Sequence, residues 1–158
     1  MNNSFKVGFC FGATSGIITT LGIIIGMYAR TKSKTMVIGS ILIIAVADAF
    51  SDALGIHISE ESENKHTSKE IWISTFATFI SKFIFALTFI IPVLLFNLAS
   101  AVICSIIWGI LVLVIISYNI AREQKIVAWK VIAEHLLIAL LVISSTYYLG
   151  YIIELKFG

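Results

Sequence analysis

AVADAFSDALGIHISEESE, residues 45–63, closes an apolar run long enough to cross a membrane, yet it carries two aspartates, Asp48 and Asp52, inside that run. Placed on a helix at about 100° per residue, Asp48, Ser51, Asp52, Gly55, Ser59, Ser62 and Glu63 share one arc of roughly 120°. Val46, Phe50 and Leu54 fall on the other side. A charge that faces lipid costs at least a few kcal/mol, so such a stripe turns toward partner helices or lines a water-filled path. The stripe is therefore where function is expected.

The rest of the chain agrees with a membrane setting. It has 158 residues, 59% of them hydrophobic, and a mean hydropathy of +1.02, which predicts an all-α polytopic membrane protein with no room for a separate soluble domain. The net charge of +2 offers no nucleic-acid patch. Cys10 and Cys104 stand apart in apolar context without a Cys-x-x-Cys spacing, and read as buried structural thiols. The first apolar run is 23 residues long and lacks a clear A-x-A cleavage site, so it reads as a retained helix.

Five spans are expected: 7–29, 36–63 (with Ser59–Glu63 continuing past the bilayer), 71–95, 98–120 and 131–153. The third and fourth come from one stretch, 83–121, with no charge over 39 residues, too long for one crossing. Pro92 and Asn97 divide it. An odd count puts the termini on opposite sides of the membrane. With the N-terminus inside, six cations (Lys6, Lys65, Lys69, Arg122, Lys125, Lys130) lie inside and four (Arg30, Lys32, Lys34, Lys156) outside, which favours a cytoplasmic N-terminus. Trp72, Trp129, Tyr147 and Tyr151 read as headgroup-level anchors.

The first span has a stripe of its own. Gly8, Gly12, Ser15, Thr19, Gly22 and Gly26 share an arc of about 80°, with Ala13, Ile17, Leu21 and Ile24 opposite. The spacings Gly8-x3-Gly12, Gly12-x3-Gly16 and Gly22-x3-Gly26 let membrane helices approach closely. Plain close packing is one reading, and a packed interface bordering a polar path is the other. As a dimer face, the stripe predicts that Gly12 or Gly16 changed to leucine separates two subunits.

On these residues the chain resembles the vacuolar iron transporter family of divalent-metal/proton exchangers. Gly12-x2-Ser15-Gly16-x2-Thr19-x2-Gly22-x3-Gly26 is similar to that family's G-x-x-D-G-x-x-T-x-x-G-x-x-x-G. Ser51-Asp52-Ala53-Leu54-Gly55-Ile56-His57-Ile58-Ser59 is similar to its S-M-A-x-G-E-Y-x-S. Pro92 and Tyr148-Leu149-Gly150 also fit its layout. The resemblance implies a homodimer packed through the first two helices, carrying Fe²⁺ or Mn²⁺ out of the cytoplasm in exchange for protons, with no permanently bound cofactor. The departures are specific. Ser15 stands where the family has an aspartate, Asp52 where it has methionine, and Ile56-His57 where it has Glu-Tyr. The cytosolic metal-binding insert of many members is reduced to a short acidic connection. In a prokaryote such a protein sits in the plasma membrane.

Asp48 and Asp52, four residues apart, would repel if both were ionised in a low dielectric, so a divalent cation, a proton or a basic partner must offset them. Ser15, Ser51 and Ser59 nearby make an oxygen-rich set suited to Mn²⁺ or Fe²⁺. A buried pair with Lys82, alone in the third span, is the other reading. Glu60, Glu61, Glu63 and His66, with Glu70, form either a cation-attracting vestibule or a solvated loop. His57 reads as an interfacial histidine, and Lys130–Glu134 as an ion pair one turn apart. Asp48-x3-Asp52 is also similar to the closing half of the motif in membrane phosphatidyl-transferases. That motif needs an upstream D-x-x-D-G-x-x-A-R and a glycine where this chain has Ile44, so no enzyme is expected. A small non-transporting assembly or regulatory protein is the remaining alternative.

Overall fold

The computed structural model describes residues 3–158, and five helical spans in it are long and apolar enough to cross a membrane. The helices are α1 (Asn3–Thr31), α2 (Lys34–Glu63), α3 (Ser68–Thr88), α4 (Ile90–Leu95), α5 (Leu98–Gln124) and α6 (Ala128–Phe157). α3 and α4 together make the third span. Each expected span is present, and each helix runs one to four residues beyond its expected bounds at most ends.

The breaks have local causes. Pro92 has no N–H, and its ring crowds the carbonyl four residues back, that of Thr88. α3 ends at Thr88, and Phe89 N–H bonds instead to Ala86 O at 3.2 Å. The α2–α3 connection turns through Asn64 at φ 51°, a left-handed position that asparagine tolerates. α3 then starts from a capping box in which Thr67 and Glu70 exchange hydrogen bonds. Lys34 Nζ donates to Leu94 O at 2.9 Å and Phe96 O at 3.1 Å, tying the start of α2 to the end of α4.

α1 is the central helix, touching α2, α3, α5 and α6. Its apolar side, Ala13, Ile17, Leu21 and Ile24, is fully buried and joins Val37, Ile41, Phe89, Val93, Ala101 and Val112 in the core. Its glycine side is also covered, by helices of the same chain. A Cβ at Gly8 or Gly12 would lie inside contact distance of the α3 backbone at Ser74 or Thr78, and one at Gly16 would sit 2.9 Å from Lys82 O. Gly22 and Gly26 face Val142 and Thr146 of α6. This corrects the expected dimer face: the α1 glycines are consumed within one protomer. They act as packing residues, because missing side chains let α3 and α6 close onto α1.

Lipid-length apolar surface remains outside. Phe50, Leu54, Phe76, Ile107, Leu140 and Leu141 are all more than half exposed, as bilayer-facing positions are. Trp72, Trp129, Tyr147 and Tyr151 are exposed too, in keeping with their expected place as anchors.

Candidate functional site: an Asp–Asp–Lys–Ser cluster between α1, α2 and α3

α3 carries a buried polar row facing α1: Ser74, Thr78, Ser81 and Lys82, each no more than 4% exposed. Their spacing of four, three and one keeps them on one side of the helix. The hydroxyls are satisfied locally. Ser81 Oγ donates to Ala77 O at 2.7 Å, and Thr78 Oγ1 donates across to Gly8 O at 3.2 Å. The α1 glycines create the space in which this row sits.

Lys82 ends the row inside the polar stripe. Its Nζ donates to Asp52 Oδ2 and to Ser15 Oγ at 2.9 Å, and lies 2.6 Å from Asp48 Oδ2. Ser15 Oγ in turn donates to Asp52 Oδ2 at 2.7 Å. Asp52 is thus held twice. Asp48 Oδ2 is held only as an ion pair, its angle falling outside hydrogen-bond geometry. Lys82 is 2% exposed, while the carboxylates keep 22% and 21% of their side-chain surface open. Three oxygens from two helices therefore converge on one nitrogen. The cluster carries two negative charges and one positive.

The expected set of five is divided. Asp48, Asp52 and Ser15 come together, whereas Ser51 and Ser59 are exposed on the outer side of α2. The reason is packing geometry. The buried positions of α2 run Val37, Ile41, Ala45, Ala49, Ala53, four apart, and each step of four turns about 40° round the helix. The contact line thus wraps past one edge of the stripe, taking Asp52 inward and leaving Ser51 and Gly55 outside. Gly55 has nothing within 4 Å of where a Cβ would stand.

The acidic group at the end of α2 also divides. Glu61, Glu63 and His66 are exposed, and Glu63 pairs loosely with Lys65 at 3.7 Å. Glu60 is a correction: only 6% exposed, it meets Ser74 Oγ at 2.5 Å between α2 and α3, and does not belong to an open vestibule. Glu60→Ala should cost about 1 kcal/mol by removing a buried hydrogen bond between α2 and α3, with Ser74 Oγ keeping Ile71 O as acceptor. Glu61→Ala should leave thermal stability unchanged. Equal melting temperatures for the two variants would refute that distinction.

Two histidines are fixed away from the cluster. Thr75 Oγ1 gives its proton to Ile71 O at 2.6 Å, so at the 2.9 Å contact His57 Nδ1 is the donor. Trp72 packs edge-on against the same ring. By the same logic His135 Nδ1 donates to Ser117 Oγ at 2.7 Å, since Ser117 gives its proton to Leu113 O. Lys130–Glu134 is not among the ion pairs of the described residues, which include Lys6–Glu123 at 2.9 Å. Cys10 and Cys104 are unpaired with each other and half-buried, less enclosed than expected.

A groove of about 430 Å³ between α1, α2 and α6 leads to the cluster. Asp48 borders it, Thr19, Gly22, Gly26 and Thr146 form its walls, and Arg30 stands at the end of α1. Three other grooves, beside Phe76 and Phe85, beside Phe50 and Phe79, and beside Tyr28 and Tyr148, reach neither aspartate. Among the described residues no three His, Cys, Asp or Glu side chains gather as a metal centre. Any cation bound at this cluster would use two carboxylates completed by hydroxyl oxygen.

The sequence matches the model of the VIT family over residues 8–73, which takes in nearly all of α1, all of α2 and the first turn of α3. No curated protein matches the chain. The matched segment contains Ser15, Asp48 and Asp52, and the VIT family consists of membrane metal-ion transporters. Over that segment, less than half of the chain, the sequence is similar to the VIT family, and the five membrane-length helices are those of a multi-pass membrane protein.

Proposed function

We propose that the protein carries Fe²⁺ or Mn²⁺ out of the cytoplasm, exchanging it for protons. The carrying observation is the convergence of Asp48, Asp52 and Ser15 inside an apolar span, beside a groove that leads to the end of α1. Carboxylate and hydroxyl oxygens suit Mn²⁺ and partly hydrated Fe²⁺. Because metal entry onto such ligands competes with protons, exchange is a natural coupling route. Glu61, Glu63 and His66 serve as a cation-gathering mouth on the cytoplasmic side. The test is uptake into proteoliposomes of Fe²⁺, Mn²⁺, Co²⁺ and Zn²⁺, with and without a pH gradient. Flux of Fe²⁺ or Mn²⁺ that responds to the gradient is expected. No flux for any metal would leave the second reading, a non-transporting membrane protein in which Lys82 permanently neutralises the aspartates, a reading that the close Lys82 contacts favour.

The working unit in this proposal is a homodimer with each N-terminus cytoplasmic, in the plasma membrane if the cell is prokaryotic. With the α1 glycines occupied, the face left for a second copy is on α2, where Ala47, Ser51, Gly55 and Ser59 recur once per turn and are exposed. Small residues at that spacing permit close helix approach. Gly55 faces open space, so Gly55→Leu leaves the protomer fold intact and should shift a detergent-solubilised dimer to monomer. Unchanged oligomeric mass would rule out this face. Reporter tags at the two termini should read from opposite sides of the membrane.

A further inference from the structure

Lys82 holds the place of the cargo. Its ammonium is bound by one oxygen each of Asp48, Asp52 and Ser15, the same three oxygens that would meet a cation on its way to the groove. Lys82 itself is buried on α3, fixed beside Gly16 of α1, and has no other acid within ion-pair distance among the described residues. Asp48, the arm held without a hydrogen bond, is also the one that borders the groove.

We infer that Lys82 is an affinity-setting residue, a tethered cation that competes with the transported metal for these oxygens. The inference rests on the proposed transport reading and adds to it. With Lys82 in place, the cluster offers one net negative charge; without it, two. A divalent ion entering the native cluster leaves an excess positive charge in a low-dielectric interior, which weakens binding and favours release. An ion coming from the cytoplasm takes Asp52 as Lys82 yields it, and leaves past Asp48 into the groove. The lysine then returns as the ion departs, so the carboxylates are not left unpaired.

The test uses the full-length protein, with Mn²⁺ as the probe. Lys82→Met and Lys82→Gln should bind Mn²⁺ in detergent at least tenfold more tightly than wild type, while uptake at saturating Mn²⁺ falls because release slows. Lys82→Arg, which keeps the charge, should stay near wild-type affinity. Added Mn²⁺ should also raise the melting temperature of the methionine variant more than that of wild type, since metal replaces the lost counter-charge. A merely structural lysine would give no such metal-dependent rescue. If wild type transports Mn²⁺ but both neutral variants bind it no more tightly, the inference fails and the transport reading stands. If wild type neither binds nor moves any of the metals, both fail. Lys82→Met failing to fold leaves the glutamine variant, of similar length and still a donor, to give the same answer.

Discussion

Asp52→Asn is expected to abolish metal-dependent flux and to lower thermal stability at the same time. The carboxylate accepts from Lys82 and from Ser15, so the change removes the charge that faces the ammonium and disturbs two contacts at once. Breaking one side of a buried ion pair costs about 3–5 kcal/mol in typical cases, and Asp52's 21% exposure places this one toward the lower end. Asp48 survives as partner, which limits the loss further. Stability and transport can be separated by neutralising the whole cluster. The triple variant Asp48→Asn, Asp52→Asn, Lys82→Met carries no orphaned charge and should regain most of the lost stability, yet move no metal. A triple variant that still transports would place the ion path elsewhere.

Gly12→Leu should have the larger structural effect. A Cβ at this position already collides with Thr78 O and the Ser81 hydroxyl, and the obstacle is helix backbone, which cannot swing aside. α1 and α3 would have to separate along their whole contact, carrying Lys82 away from Ser15. Overpacking in a core costs roughly 1–3 kcal/mol where neighbours can adjust, and more where they cannot. Gly12→Ala should therefore lower the melting temperature measurably, and Gly12→Leu should prevent accumulation of folded protein. Recovery of folded monomers from Gly12→Leu, with only the dimer lost, would restore α1 as the subunit interface.

The spans were legible because charge-free runs and their breakers, Pro92 and Asn97, are local signals. Ser15 was expected near the two aspartates together with Ser51 and Ser59, and of the three it alone meets Asp52. What a helical wheel could not show was which neighbour claims each face. The α1 glycines looked alike, yet three meet α3, two meet α6, and none is left for a second subunit. The wheel also treats a stripe as a straight line, whereas the contact row on α2 drifts round the helix, so Ser51 and Ser59 left the site while Glu60 was drawn inside. Lys82 was visible as a lone charge in an apolar span. The hydroxyl row Ser74, Thr78, Ser81 was equally visible at helical spacing, and it marks the face on which that lysine would be found.

The central position of α1 also imposes an order on biosynthesis. This helix leaves the ribosome first, but Gly8, Gly12 and Gly16 must wait for α3, and Gly22 and Gly26 for α6, which begins only at Ala128. At ordinary elongation rates of about 5–20 residues per second, that delay is on the order of ten seconds. Throughout it, a helix with grooves instead of side chains stands in the bilayer without its final neighbours, and Asp48 and Asp52 on α2 enter before Lys82 has been made. Asp48 and Asp52 gain their counter-charge only when α3 is inserted, and α6 closes the last open side of α1.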